Sequence, residues 1–235
     1  MRKVVFILGF LMLAQTAQAQ LFSKERLANI ETFDNRFLTW GYYLGFNSYD
    51  FKIEYENQRQ DDNTDILVET QGGFNVGLIG DMRVNRYINL RLEPGLYFTQ
   101  RNLSFPNFEE ERDRLRNVKS TYIHVPLLVK FSTKRLNNFK PFVVVGVSRS
   151  FNLSSNETNP EDNNEGQFRM TRGTSYFELG FGVDLYLFYF KFTPSIRGVF
   201  ATSNELVADD DPNSPWTSNI SNLATRGIFV NFTFQ

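Results

Sequence analysis

The single histidine is the residue of this 235-residue chain with the most obvious catalytic chemistry. His124 could serve as a general base beside a serine nucleophile, and Ser120 and Ser148 lie on neighbouring predicted strands. No nucleophile-elbow pattern and no orienting acid at a recognisable spacing accompany them. We therefore predict no catalytic residue and interpret His124 as a hydrogen-bonded filler. A lipid-modifying enzyme that uses His124 remains an alternative.

Charged side chains form the second candidate set, and they alternate with apolar residues along predicted strands. Arg91 and Glu93 are two residues apart, so they share one face at about 7 Å along the strand. The set has five positive and four negative members, whereas a selective channel would favour one sign. The sequence predicts a structural network of ion pairs and hydrogen bonds made by Asp81, Arg83, Arg91, Glu93, Lys130, Glu178, Asp184, Lys191 and Arg197.

Cofactor and metal signals are weak throughout the chain. The Asp209–Asp211 run could chelate calcium, but consecutive acids without a correctly placed glycine favour a solvated loop. There is no cysteine, which excludes disulfides and thiolate metal sites. No phosphate-binding loop, dinucleotide fingerprint or HExxH motif is present. We predict no cofactor and no metal, and a net charge of −1 without a basic run argues against nucleic acid as a partner.

The elements that must position these residues are strands, because most segments alternate with period two. The segment around Phe177 to Leu185 is the clearest, with apolar residues on one face and Glu178, Gly180, Gly182 and Asp184 on the other. The pattern predicts eight strands: Thr39–Ile53, Gly72–Arg83, Tyr87–Arg101, Lys119–Ser132, Asn138–Asn152, Thr174–Tyr186, Phe188–Thr202 and Thr225–Phe234. Asn138–Asn152 is apolar on both faces near its middle, which leaves its orientation open.

The connections alternate between long and short, which indicates how the strands are arranged. Four long polar loops, at about 54–71, 102–118, 153–173 and 203–224, fall on one side, and the short turns fall on the other. An outer-membrane barrel has this arrangement, with both termini and the tight turns in the periplasm. We predict an all-β, eight-stranded antiparallel up-and-down transmembrane barrel in the outer membrane of a Gram-negative cell. A soluble sandwich or lipocalin-like barrel would bury charges against each other in a dry core, which is costly.

Aromatic residues near the strand ends support a membrane location. Rings at headgroup depth form girdles around such barrels. The residues in question are Trp40, Tyr42, Tyr87, Phe98, Tyr122, Phe131, Tyr186, Tyr189, Phe200 and Phe232.

The N-terminal residues read as a secretory signal. Arg2 and Lys3 precede an apolar run from Val4 to Leu13, and an A-x-A cleavage site ends at Ala19. The apolar run is about half the roughly 20 residues that a spanning helix needs. We predict a signal peptide over residues 1–19, a periplasmic lead-in over residues 20–38 and the barrel domain over residues 39–235.

The C-terminal stretch reads as the closing strand of the barrel. Ile228, Val230, Phe232 and Phe234 should face lipid, and the strand should pair with the first one near Trp40–Tyr49. Phe232 and Phe234 fit the aromatic C-terminal signal by which barrel-insertion machinery recognises its substrates, although Gln235 follows them. The expected partners are therefore outer-membrane lipid and, during biogenesis, that machinery.

Three stretches resemble the PorT family of outer-membrane barrels from Bacteroidota. They are WGYYLGFNSYDFKI (40–53), GGFNVGLIGDMRVNRYINLRLEPGLYFTQRNLSF (72–105) and YIHVPLLVKFSTKRLNNFKPFVVVG (122–146). The LR-x-EPGL centre and the following Q-R-x-L-x-F are the most specific motifs. The resemblance implies a non-enzymatic component or assembly factor of type IX protein secretion, associated with gliding motility in some members. It also implies other secretion-system envelope proteins as partners. A small OmpX-like structural or adhesion barrel, or a passive channel, is the alternative.

Overall fold

We describe a computed structural model that covers residues 28–56, 66–106, 108, 110, 114–155, 157, 168–211, 214 and 216–235. The predicted signal peptide and the first part of the lead-in lie outside the described residues. A 3₁₀ turn at Phe33–Asn35 precedes the strands. The strands are β1 (Leu38–Tyr55), β2 (Leu67–Thr70), β3 (Gly72–Arg83), β4 (Ile88–Leu92), β5 (Gly95–Ser104), β6 (Leu115–Ser132), β7 (Phe139–Asn152), β8 (Gly173–Tyr186), β9 (Lys191–Ala201) and β10 (Ile220–Phe234).

The sheet closes on itself, because β1 pairs antiparallel with both β10 and β3. β2 and β3 follow each other in one line with only Gln71 between them, and β4 and β5 form a second line interrupted by Glu93 and Pro94. In the pairing of these two lines, β2 pairs with β5 and β3 pairs with both β4 and β5. β4 and β5 both pair with β6. Counting β2 with β3 as one wall and β4 with β5 as another, the ten described strands form the eight walls of an up-and-down barrel, as predicted. Closure leaves no sheet edge with unpaired backbone groups along the walls.

The observed walls differ from the predicted strands mainly at their ends. The seventh wall begins at Lys191 and not at Phe188, because Phe188 and Tyr189 form a turn and are 80% and 95% exposed. At the opposite end β5, β6 and β10 continue further than the period-two pattern indicated. We call the end with the connections 84–87, 133–138 and 187–190 the turn end. The end with the connections 56–66, 105–114, 153–172 and 202–219 is the loop end.

The two faces of the wall have opposite chemistry. Outward positions such as Leu78, Leu179 and Phe181 are apolar and exposed, while inward positions carry the buried polar and charged side chains. The structure also defines the orientation of β7, which the sequence left open. Phe142 and Val144 point inward, and Val143 and Val147 are exposed on the outer face. Within the described residues, no helix combines the length and the apolar character needed to cross a membrane.

Two aromatic residues that we assigned to the outer girdles point inward instead. Tyr122 and Tyr186 are 2% and 1% exposed, whereas Trp40, Tyr42 and Tyr87 lie on the surface as expected. Alternation explains the correction, because inward positions adjoin the outward ones at every strand end. The prediction for these two rings was wrong because it considered only their position near a strand end.

The interior is filled with rings at mid-height and with an apolar cluster near the loop end. Tyr43, Tyr49, Tyr97, Tyr122, Tyr176, Val199 and Phe229 form the central layer. A Cβ atom at Gly95 would collide with the Tyr43 hydroxyl, so glycine leaves room for that ring against β5. Above this layer lies the loop-end cap, which consists of Phe51, Leu103, Phe105, Val118, Phe168, Met170, Ile220 and Leu223. The lumen is therefore a packed core, as expected of a narrow eight-stranded barrel.

The segment before β1 lies across the turn end. Asn29 donates from its backbone N–H to Asn138 Oδ1 and from its side chain to the carbonyl of Tyr186, at 2.8 and 3.0 Å. Phe33 is buried, and the hydroxyl of Tyr186 donates to Asp34 Oδ1 at 2.6 Å. Residues 28–37, expected from sequence to be part of a lead-in, thus pack against the barrel mouth.

Candidate functional site

A chain of charged contacts begins on neighbouring walls and then crosses the lumen. Asp81 on β3 and Arg91 on β4 are register partners, and Arg91 Nε donates to Asp81 Oδ2 at 2.8 Å. Arg91 Nη1 also donates to Glu93 Oε1 at 3.4 Å. Asn89 is a second donor to the Asp81 carboxylate, through its side-chain amide to Oδ1. These contacts are made by consecutive inward positions, which is why the two-residue spacing of Arg91 and Glu93 brings them together.

Glu93 carries the network across the barrel to β9. Its Oε2 forms an ion pair with Arg197 Nη1 at 3.0 Å, and Arg197 Nε lies 3.1 Å from Glu178 Oε2 on β8. Arg197, Glu93 and Glu178 are at most 5% exposed. Buried charges of this kind are tolerated only when each has close partners of opposite sign. The contact therefore ties opposite sides of the barrel to one another.

His124 lies at the end of this chain and adds two more walls, β6 and β7, to it. Its Nε2 is 2.8 Å from Glu178 Oε1, and its Nδ1 is 2.6 Å from Ser150 Oγ on β7. In the tautomer with the proton on Nε2, the ring donates to Glu178 and accepts from Ser150. Ser120 and Ser148, which the sequence suggested as partners, make no hydrogen bond to His124. Alternation alone could not choose among three inward serines.

The serine–histidine–carboxylate contact has no space for a substrate. His124 and Glu178 are fully buried and Ser150 is 1% exposed. The rings of Tyr97, Tyr176 and Phe229 surround the imidazole, with centroids 4.8, 5.9 and 5.8 Å away. An acyl-transfer site needs a position about 3 Å from the nucleophile where the reacting carbon can sit. The geometry supports the interpretation of His124 as a hydrogen-bonded filler.

A second, smaller group of charges lies nearer the turn end. Lys130 on β6 donates to Asp184 Oδ2 on β8, and Thr193 donates to Asp184 Oδ1 at 2.8 Å. Lys191 is buried close by, with its Nζ 4.7 Å from the centroid of the Phe33 ring. Arg83 differs from the other eight residues of the predicted network. It is only half-buried at the turn end, and it forms no ion pair with the described residues.

A sequence comparison identifies the family of the chain. The signature of the family described as outer membrane protein beta-barrel domain matches residues 15–207. That range covers more than half of the 235 residues. The chain belongs to the outer-membrane protein β-barrel domain family. Membership agrees with the closed barrel and its apolar outer face, and it assigns the chain to the outer membrane.

Several solved outer-membrane barrels resemble this family member in structure. Neisserial surface protein A is 8% identical, with a TM-score of 0.42, over 82% of this chain and 95% of that one. OprG of Pseudomonas aeruginosa is 15% identical, with a TM-score of 0.39, over 84% and 93%. Ail of Yersinia pestis, solved with the heparin analogue sucrose octasulfate, is 14% identical, with a TM-score of 0.39, over 83% and 96%. No curated protein matches the sequence.

Sequence reasoning missed the charged residues of this outer-membrane barrel that lie near the loop end. Arg101 is fully buried, and it donates to Thr225 Oγ1 at 3.1 Å and to the Tyr122 hydroxyl at 3.0 Å. Its guanidinium carbon lies 3.8 Å from the centroid of the Phe51 ring. Arg101 continues the inward alternation of Tyr97 and Thr99, so extending the same pattern by two residues would have found it.

Glu205 was also missed, because it lies in the connection between β9 and β10 and not in a strand. Its Oε1 accepts from the backbone N–H of Thr225 at 2.9 Å, and its Oε2 accepts from the Thr225 hydroxyl at 3.0 Å. Burial raises the pKa of this carboxyl above its usual value, although the nearby Arg101 and the bonds from Thr225 act in the opposite direction. No period-two pattern marks such a residue.

The acidic run in the last long loop is partly structural in this barrel. The side chain of Asp209 is buried, and its Oδ1 lies 3.3 Å from Arg169 Nη2 while its Oδ2 accepts from Ser214 at 2.5 Å. The expectation of a fully solvated run was therefore wrong for Asp209, because its loop folds back onto Arg169. The described residues contain no group of three or more His, Asp or Glu side chains arranged to hold a metal ion.

Proposed function

We propose that this chain is a non-enzymatic, integral outer-membrane component or assembly factor of type IX protein secretion. One structural observation carries the first half of this proposal: side chains pack the lumen at its middle and at the loop end. The central aromatic layer, the charge network and the loop-end cap leave no described path through the barrel. A chain of this design contributes surfaces to an envelope assembly and does not serve as its conduit.

The secretion role itself rests on the resemblance of the first five predicted strands, in the stretches 40–53, 72–105 and 122–146, to the PorT family. The most specific part of that resemblance includes Arg91 and Glu93, which anchor the lumen network. Pro94 follows them in the two-residue break between β4 and β5. The PorT-like motif therefore lies at the break between β4 and β5, and its Arg91 and Glu93 side chains belong to the chain of ion pairs that crosses the lumen.

The proposed orientation follows the general rule for bacterial barrels. Short turns lie in the periplasm and long loops lie outside the cell, so both termini are periplasmic. The loop end would meet extracellular partners, and the turn end with residues 28–37 would meet periplasmic ones. Phe232 and Phe234 would act earlier, as the aromatic signal read by the barrel-insertion machinery.

The secretion role is tested in a strain that lacks this gene. Cargo proteins should accumulate in the periplasm and disappear from the medium, and expression of the full wild-type chain should restore them. Envelope integrity, measured as exclusion of a large antibiotic, serves as the control for general damage. Chemical crosslinking followed by pull-down from outer membranes should recover secretion-system subunits, while a different small outer-membrane barrel carried through the same procedure should not. Normal cargo secretion in the deletion strain would refute the proposal.

A small adhesion barrel is the second candidate, and the length of the walls favours it. β1 and β6 each have 18 residues, whereas crossing a bilayer takes about 9–11. The walls therefore extend beyond the membrane and hold the loop end clear of its surface. If adhesion is the function, the deletion strain should lose attachment to surfaces while secreting cargo normally. Unchanged attachment would remove this candidate.

A further inference from the structure

The turn end contains a cavity that shares only part of its lining with the lumen network. It has a volume of about 260 Å³ and lies between residues 28–37 and the first two turns of the barrel. This volume is just below the range of small-ligand pockets, about 300–1,000 Å³. The lining is strongly polar, and it includes side chains from the 3₁₀ turn, from the connection after β3 and from the connection after β6.

The lining of this cavity has a large surplus of positive charge. Seven cationic side chains face only two carboxylates, Asp34 and Asp81, and Asp81 already bonds to Arg91. Three of the cations lie deeper, and four lie at the rim: Arg36, Arg83, Arg86 and Lys134. Within the described part of the chain, no carboxylate pairs with any of these four. The charge surplus is therefore open to a ligand.

The deeper cations are already arranged around one carboxylate. Asp34 Oδ1 lies 3.5 Å from Lys140 Nζ and accepts from the Tyr186 hydroxyl at 2.6 Å. Asp34 Oδ2 lies 3.9 Å from Arg135 Nη1. Lys140 is buried. This part of the cavity thus binds an anion supplied by the chain itself, and it shows that the lining is complementary to negative charge.

Lys191 is the deep cation without such a partner. It is 4% exposed and contacts the Phe33 ring, but no carboxylate among the described residues forms an ion pair with it. Oxygen ligands offset the lost hydration of a buried ammonium group, and the carboxylates of Asp184, Asp81 and Asp34 act on Lys191 only from beyond ion-pair distance. Lys191 therefore lines the same cavity as the four rim cations and is available to a bound anion.

We propose that the turn-end cavity binds an anion that carries phosphate groups, of about the size of pyrophosphate. Arginine guanidinium groups form paired hydrogen bonds with phosphate oxygens, and lysine adds point charges, so the rim set suits this chemistry. The ligand would sit between the rim cations and Lys191, beside Asp34. In the membrane the phosphate could belong to a lipid headgroup at the barrel rim or to a soluble molecule. The site does not depend on the secretion role.

The test uses the full chain folded in a detergent with an uncharged headgroup, titrated with pyrophosphate in a calorimeter. The double variant Arg83→Gln/Lys134→Gln should bind at least about tenfold more weakly, because each cation donates charge-assisted hydrogen bonds. The matched control Lys119→Gln/Arg149→Gln removes two exposed cations elsewhere on the barrel and should bind as the wild type does. Asp34→Asn should bind more tightly, since it removes a competing negative charge. Circular dichroism and resistance to unfolding in SDS confirm that each variant is folded.

The outcomes separate the proposal from its alternatives. No binding by the wild-type chain at millimolar pyrophosphate, or equal binding by wild type and the cavity variant, would overturn it. The source of the phosphate is resolved by repeating the titration in nanodiscs with and without phosphatidylglycerol. Weaker pyrophosphate binding in the anionic nanodiscs would identify lipid headgroups as occupants of the site. Equal binding in both would identify a soluble phosphate as the ligand.

Discussion

Glu178 is the position where the charge network is most open to a quantitative test. Its two oxygens are shared between His124, at 2.8 Å, and Arg197, at 3.1 Å, and the side chain is fully buried. Replacing it with leucine keeps much of the volume but removes both contacts. Arg197 would keep only its ion pair with Glu93, and the Nε2–H group of His124 would lose the oxygen that accepts its hydrogen bond.

The expected cost follows from what is left unpaired. Removing one partner of a buried ion pair typically lowers the free energy of unfolding by about 3–5 kcal/mol. Glu178→Leu should fall in that range. Glu178→Gln keeps an oxygen acceptor for His124 and loses only the charge, so a cost of about 1.5–3 kcal/mol is expected, the value of a hydrogen bond to a charged group. Replacing both partners, as in Glu178→Leu/Arg197→Met, should cost less than the sum of the two single changes.

The assay is reversible unfolding by urea in phospholipid vesicles, followed by the fluorescence of the two tryptophans. Glu69→Gln, an exposed carboxylate near the loop end, is the matched control and should leave the transition unchanged. A cost below about 1 kcal/mol for Glu178→Leu, the ordinary size of a point-mutation effect, would refute the network. Strict additivity in the double variant would refute the contact with Arg197.

Three further predictions test separate parts of the barrel by the same unfolding measurement. Leu179→Arg places a charge on the outer face and should cost about 2–4 kcal/mol in vesicles if that face meets lipid; a negligible cost would indicate that it does not. Leu103→Ala in the loop-end cap should cost about 2–5 kcal/mol, as for a large-to-small change in a core, and wild-type stability would show that the cap is not packed. Because burial raises the pKa of Glu205 in the folded chain, its stabilising contribution is present below its unfolded pKa and is lost as the pH rises through the folded value. In Glu205→Gln the free energy of unfolding should therefore fall less as the pH rises above about 4.3. An unchanged dependence of that free energy on pH would contradict the raised pKa of Glu205.

The fold was predictable because a two-faced wall imposes a regular pattern on its sequence. Alternation assigned Ile123, Leu127 and Phe131 to the outer face and His124 and Lys130 to the inner one, as observed. The alternation of long and short connections identified the direction of each wall. Both signals are local in the chain, so a single sequence contains them.

The internal contacts were less predictable because they depend on distant walls. Alternation shows that Glu93 and Arg197 point inward, but their 3.0 Å ion pair depends on how far the walls are staggered around the barrel. The choice of Ser150 over two other serines by His124 has the same origin. Tyr186 is the last residue of β8, so its inward direction depends on whether the alternation of inward and outward residues continues to the very end of the strand. The packing of Asp34 against the turn end involves a segment with no periodic signal at all.

The side chains of this outer-membrane barrel fill its lumen, and we propose that it acts through its surfaces. The most direct measurement is the current across a planar lipid bilayer that contains the purified full-length chain. A filled lumen predicts no stable conductance steps for the wild type, and none after Glu93→Gln or Arg91→Gln, because the aromatic layer and the loop-end cap still fill it. Regular conductance steps whose size or ion selectivity changes when Glu93 or Arg91 is neutralised would contradict it.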